Sequence, residues 1–129
     1  MISRYAGQTM LEYLVVVSAL VSTMFWGANA FNQDIGSWDT SSVTEMDSMF
    51  RSALAFNQDL SQWDVSSVTD MSEMFMNTGM FNQDISTWDV STLSNMSGMF
   101  AYAAKFDQDL RTWDVDHVLN GEGCLDFAD

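Results

Sequence analysis

Residues 56–75 read FNQDLSQWDVSSVTDMSEMF, and close copies of this spelling recur at 25-residue intervals on both sides. Phe31, Phe56, Phe81 and Phe106 stand in one register, and Trp38, Trp63, Trp88 and Trp113 in another, each Trp followed by Asp39, Asp64, Asp89 or Asp114. Val43, Val68, Leu93 and Val118 align, as do Met46, Met71 and Met96, then Met49, Met74 and Met99, then Phe50, Phe75 and Phe100. A fixed period with fixed apolar positions predicts a stack in which no coil closes a core alone and each buries its apolar side chains on its neighbours.

Within a coil, the stretch around Val43 to Met46 alternates apolar and polar residues, which predicts a short strand. Asp47-Ser-Met-Phe-Arg-Ser-Ala-Leu-Ala55 has a helix-forming composition. Each coil is therefore expected to hold one strand, one short helix and a turn-rich return through Phe-Asn-Gln-Asp. The expected core is Phe31, Trp38, Met46, Phe50, Phe56, Trp63, Met71, Phe75, Phe81, Trp88, Met96, Phe100, Phe106 and Trp113. Three coils are complete. A fourth degenerates after Val118, where Gly121, Cys124 and Leu125 take the places of Met, Met and Phe and suggest a cap.

The charge balance is lopsided. Eighteen Asp and Glu face four Lys and Arg in 129 residues, a formal net charge of −14. Such a surface repels phosphate backbones, so nucleic acid is excluded as a partner. A lone cysteine, Cys124, forbids an intrachain disulfide. The absence of proline and the small number of glycines argue against a long flexible linker.

Upstream of the repeats, Met10 to Ala30 reads MLEYLVVVSALVSTMFWGANA, with Glu12 and the Tyr13 phenol as its ionisable groups. A helix of this length spans roughly 30 Å, enough to cross a bilayer. It could be a signal peptide, with Ala28-Asn29-Ala30 as a small-residue cleavage site. It could equally be a plain anchor held by Arg4 on the cytoplasmic side. A carboxylate in hydrocarbon needs a partner, so Glu12 is a functional candidate in either setting.

Two resemblances extend this reading. The run from Arg4 through Gly7, Gln8, Glu12 and Tyr13 into Leu14 and Val15 resembles the N-terminus of type IV pilins, especially tight-adherence (Flp) pilins, and is similar to archaeal class III signals. The resemblance implies a leader over 1–7 removed by a prepilin peptidase between Gly7 and Gln8. It also implies a helix over 8–30 that spans the membrane and later forms a filament core. Assembly would run through Glu12, Tyr13, Leu14, Val17, Leu20, Val21 and Phe25, making the chain itself, the assembly machinery and the membrane its partners. Residues 31–118 resemble the BspA-like, leucine-rich-repeat-related repeats of bacterial surface proteins, which implies an extracellular location, adhesion and no enzymatic activity. Together these give the expected fold class: a long N-terminal hydrophobic α-helix followed, over 31–129, by a short parallel β/α repeat solenoid. The expected function is a subunit of an extracellular pilus-like filament, or alternatively a membrane-anchored monomeric surface binding module.

Chemistry is sparse. The single histidine, His117, has no second ligand to complete a metal set, and neither a nucleophile elbow nor a phosphate loop is present. No catalytic residue, metal or cofactor is expected. The recurring acids Asp34, Asp59, Asp84 and Asp109 read as turn caps, and Asn32, Asn57 and Asn82 as an internal hydrogen-bonded ladder.

Overall fold

The computed structural model describes residues 21–118. Over this span the chain winds as 25-residue coils stacked directly on one another, and the coils are built from turns. Among the described residues there is no α-helix, and strand pairing is limited to the parallel bridges Glu45–Asp70 and Asp70–Asn95. The expected β/α coil is thus overturned: the helix-like segment is a chain of tight turns, and the strand is a single bridge per coil.

The physical reason lies in how the backbone groups are shared. Met46, Met49, Phe50 and Ala53 point inward and are fully buried. Their i, i+3, i+4, i+7 spacing is one that a helix also produces. In a helix every N–H past the first turn would bond within the segment, four residues back. Here alternate N–H groups stay within it, three residues back: Met49, Arg51 and Ala53 donate to the carbonyls of Met46, Ser48 and Phe50. The intervening ones leave the coil. Met46, Ser48, Phe50 and Ser52 donate to the carbonyls of Asp70, Ser72, Met74 and Met76 on the next coil, at 2.8–2.9 Å. Positive φ at Ser48 and Ser52 (54° and 58°) closes these turns and turns each alternate amide outward along the stack.

The same pattern overturns the N-terminal helix where it can be seen. Val21, Thr23, Phe25 and Gly27 donate to the carbonyls of Glu45, Asp47, Met49 and Arg51. Thr23 and Gly27 have φ of 61° and 70°. Residues 21–30 are therefore one more row of the stack, a coil position before Met46, and not the C-terminal half of an apolar rod. Val21, Met24, Phe25 and Ala28 supply the same inward spacing as Met46, Met49, Phe50 and Ala53, which is why the segment reads as uniformly hydrophobic. Among the described residues no helix is long and apolar enough to cross a membrane.

The core is a set of vertical ladders. Phe25, Phe50, Phe75 and Phe100 stack with ring centroids 5.4–5.7 Å apart, and Phe31, Phe56, Phe81 and Phe106 at 5.8–5.9 Å. Within each coil the two ladders touch at 4.0–4.1 Å. The Trp indoles tie coils together as well as filling space: Nε1 of Trp63, Trp88 and Trp113 donates to the carbonyls of Ile35, Leu60 and Ile85 at 3.0–3.1 Å. Dispersion, apolar burial and a satisfied indole donor all repeat at each step. No buried side-chain N or O atom among the described residues lacks a partner.

Candidate functional site

The outside of the stack carries three kinds of vertical row. The first is an amide ladder. Backbone N–H groups of Asn57, Asn82 and Asp107 donate to the Oδ1 atoms of Asn32, Asn57 and Asn82, and Gln58, Gln83 and Gln108 donate to the same asparagines. Each Asn fixes the coil below it, so this row is structural.

The second kind is acidic. Asp34, Asp59, Asp84 and Asp109 each accept from the backbone N–H two residues on, closing a turn. Asp39, Asp64 and Asp89 do the same with Ser41, Ser66 and Ser91. These bonds favour the ionised form. The serine hydroxyl first and its amide second hold Asp39, Asp64, Asp84 and Asp89 below the usual carboxylate value, while for Asp59 the Ser61 amide leads. Asp109, gripped by the Arg111 guanidinium, falls to about 2. Turn closure accounts for these carboxylates, and among the described residues no three His, Cys, Asp or Glu are grouped to hold a metal. His117 is exposed.

The third kind is a strip along the edge where each coil turns back, made of residues 26–30, 51–55, 76–80 and 101–105. Their sequences are WGANA, RSALA, MNTGM and AYAAK. None of the twenty is Asp or Glu, in a chain of net charge −14. Among the described residues, the strip also carries the exposed large apolar side chains: Trp26, Leu54, Met80 and Tyr102 are 53, 42, 51 and 62% exposed. The column Ala28, Ala53, Thr78, Ala103 turns inward and anchors the strip to the core. Arg51 is braced from both sides. Its guanidinium lies 4.9 Å from the Trp26 ring centroid and is ion-paired to Glu73, a coil below.

The predicted core residues lie together in the interior: Trp38, Met46, Phe50, Phe56, Trp63, Met71, Phe75, Phe81, Trp88, Met96, Phe100, Phe106 and Trp113 are buried, and Phe31 is half-buried against them. Of the predicted assembly residues, Val21 and Phe25 are in this same core, 2 and 3% exposed. Facing inward, they have no surface to give a helix-driven polymer. Gly7, Gln8, Glu12, Tyr13, Leu14, Val17 and Leu20 lie outside the described residues, as does Cys124. The strip is the feature that motif reading missed. Writing the four segments in register would have found it, because these columns change from coil to coil while the Phe, Trp and Asp columns hardly do.

Residues 18–129 match the family described as Mycoplasma protein of unknown function, DUF285. This is most of the chain, and the chain belongs to that family. No curated protein and no solved structure matches it.

Proposed function

We propose that this family member is a non-enzymatic recognition module displayed at a cell surface, with the acid-free strip as its contact face. The observation that carries the reading is the division of labour within a coil. Core, amide and acidic columns repeat with little change, so the backbone is a constant scaffold. The strip columns run Trp, Arg, Met, Ala and Gly, Ser, Asn, Tyr, so the displayed surface is not periodic. Stacked repeats build extended binding surfaces in this way, with constant interiors and variable faces. Exposed aromatic and methionine side chains on low, alanine-rich ground suit a contact that removes them from water. The likeness of residues 31–118 to bacterial surface-protein repeats supports the location and the adhesive role. The pilus-like filament is not retained, because residues 21–30 are committed to the stack.

The test uses beads coated with the full chain and a variant carrying Trp26→Ser, Leu54→Ser, Met80→Ser and Tyr102→Ser. Wild-type beads should adhere to producing cells while variant beads do not, with the melting temperature little changed. Equal adhesion by both would remove the strip from consideration. Protease treatment of intact producing cells should degrade the protein; full protection would contradict surface display.

A further inference from the structure

We infer that the strip docks on a lipid bilayer of zwitterionic headgroups, with Trp26, Leu54, Met80 and Tyr102 entering the boundary between headgroups and acyl chains. This rests on the strip being the contact face, and it adds what that face contacts.

Charge narrows the occupant first. The chain carries −14, yet the strip has no Asp or Glu and holds two of the three Lys and Arg among the described residues, Arg51 and Lys105. The acids nearest to it in sequence are Glu73, ion-paired to Arg51, and Asp107, two residues past Lys105. A carboxylate pressed against hydrocarbon loses its water at high cost, so a face that enters a bilayer must be free of acids, while a cation on a long side chain keeps its head among the lipid phosphates. A glycan sets no such condition, because sugar hydroxyls donate to carboxylates. An anionic partner, anionic lipid included, is repelled by the chain as a whole, and a cationic one is drawn to the acidic rows instead of the strip.

Size narrows it further. Four rows about 4.8 Å apart and five residues wide present roughly 200 Å². A specific protein interface buries about 800 Å² on each side, so the strip is too small to hold a folded partner. A bilayer needs no matching surface, because each side chain enters it separately. The scatter of Trp26, Leu54, Met80 and Tyr102 over four rows and four different columns therefore costs nothing. The side-chain types agree: indole and phenol rings favour the headgroup boundary, where one end is apolar and the other wet, and Leu and Met add apolar reach. The Arg51 guanidinium, 4.9 Å from the Trp26 ring centroid, goes with that indole to the level of the phosphates.

Four partly inserted side chains make a contact comparable with a single acyl chain: weak and reversible, with half-binding at lipid concentrations on the order of 0.1–1 mM. Many copies displayed on one surface turn such a contact into adhesion.

Trp26 reports the contact directly, because Trp38, Trp63, Trp88 and Trp113 are buried. Titrating the full chain with phosphatidylcholine vesicles should shift its emission to the blue, and bromine-labelled acyl chains should quench the Trp26 share. Replacing about a third of the lipid with phosphatidylserine should weaken binding at low salt, and added salt should restore it. Leu54→Asp and Tyr102→Asp should each lower the partition coefficient about tenfold. Tyr102 sits at φ 58°, which Asp tolerates, so that variant keeps the fold. Gln62→Glu, at an exposed position outside the strip, adds the same charge and should leave binding unchanged. No spectral shift with any vesicle, tighter binding to the phosphatidylserine mixture, undiminished binding by both Asp variants, or a loss in Gln62→Glu as large as theirs would each overturn the lipid contact. Strip-dependent adhesion of beads that is lost when the target cells are treated with protease or glycosidase overturns the lipid alone, since a protein or a glycan then occupies the face; adhesion indifferent to the strip overturns the face itself.

Discussion

Residues 21–30 and residues 71–80 follow the same path with different sequences, VSTMFWGANA and MSEMFMNTGM. Both send alternate amides to the next coil, and both carry positive φ at their third and seventh residues: Thr23 and Gly27 in one, Glu73 and Asn77 in the other. Shared between them are a serine, a methionine and a phenylalanine in the same places and small inward residues, Ala28 and Thr78. The outward residues have almost nothing in common. Four inward side chains and a neighbouring coil with matching donors and acceptors are therefore enough to impose this backbone, even on residues such as Thr23 that disfavour it.

Replacing a ladder ring tests that statement most severely. Phe75 lies between Phe50 and Phe100 and against Phe81. Phe75→Ala should cost about 3–5 kcal/mol, enough to unfold a marginal domain. Phe25 touches Phe31, Trp38 and Phe50, so Phe25→Ala should cost nearly as much and lower the same single transition. A Phe25→Ala protein that melts like wild type by circular dichroism would mean that residues 21–30 stand apart from the stack, and the comparison fails.

The two segments also show what sequence could and could not tell. The period, the stacking direction of the rows and the buried Phe, Trp and Met columns were legible, because each coil repeats the same inward residues. The amide ladder and the turn-closing aspartates were legible too, although the ladder was expected inside and lies on the outside of the stack. The local backbone was not. Inward residues at i, i+3, i+4 and i+7 occur on one face of a helix and also in successive tight turns, and what separates them is whether alternate N–H groups find a partner 24 residues away. No short window contains that information. For residues 21–30 the confusion was greater, since outward Trp26 and Ala30 and inward Val21 and Phe25 together make an apolar run that a membrane helix would also have.

The indole bonds sharpen the comparison at intermediate cost. Trp63→Phe keeps an aromatic ring in the core but loses the indole bond to the Ile35 carbonyl, which still accepts from the Trp38 N–H, and leaves a small void. It should cost about 1–2 kcal/mol, read as a lowered urea midpoint with an unchanged slope. An unchanged midpoint would show that the indole donors add little beyond packing.

Backbone strain gives a smaller and signed effect inside residues 21–30. A Cβ on Gly27 would meet nothing within 4 Å, so Gly27→Ala isolates the cost of a side chain at φ 70°, about 1 kcal/mol. Thr23, exposed and β-branched at φ 61°, should respond in the opposite sense, with Thr23→Gly gaining about 0.5–1 kcal/mol. Two changes of the same sign would mean that these turns relax when substituted.

Acid should produce the smallest effect per residue, and its origin lies away from the two segments compared, in the turns that connect them. The carboxylates of Asp39, Asp64 and Asp89 are lowered from 3.8 by serine hydroxyls and amides that bond the ionised form. A group whose value is lower in the folded chain than in the unfolded one adds stability above its unfolded value, and that stability is lost as pH falls through the folded one. The melting temperature should accordingly hold down to about pH 4 and decline toward pH 2. All three groups are exposed, so each contributes modestly and salt weakens the Coulombic part. The triple variant Asp39→Asn, Asp64→Asn, Asp89→Asn keeps the side-chain oxygen that accepts the turn bonds and removes the titration. Its melting temperature should fall less steeply over the same range. If it falls as steeply as wild type, the acid response comes from the other carboxylates, and the Asp–Ser turns close equally well when protonated.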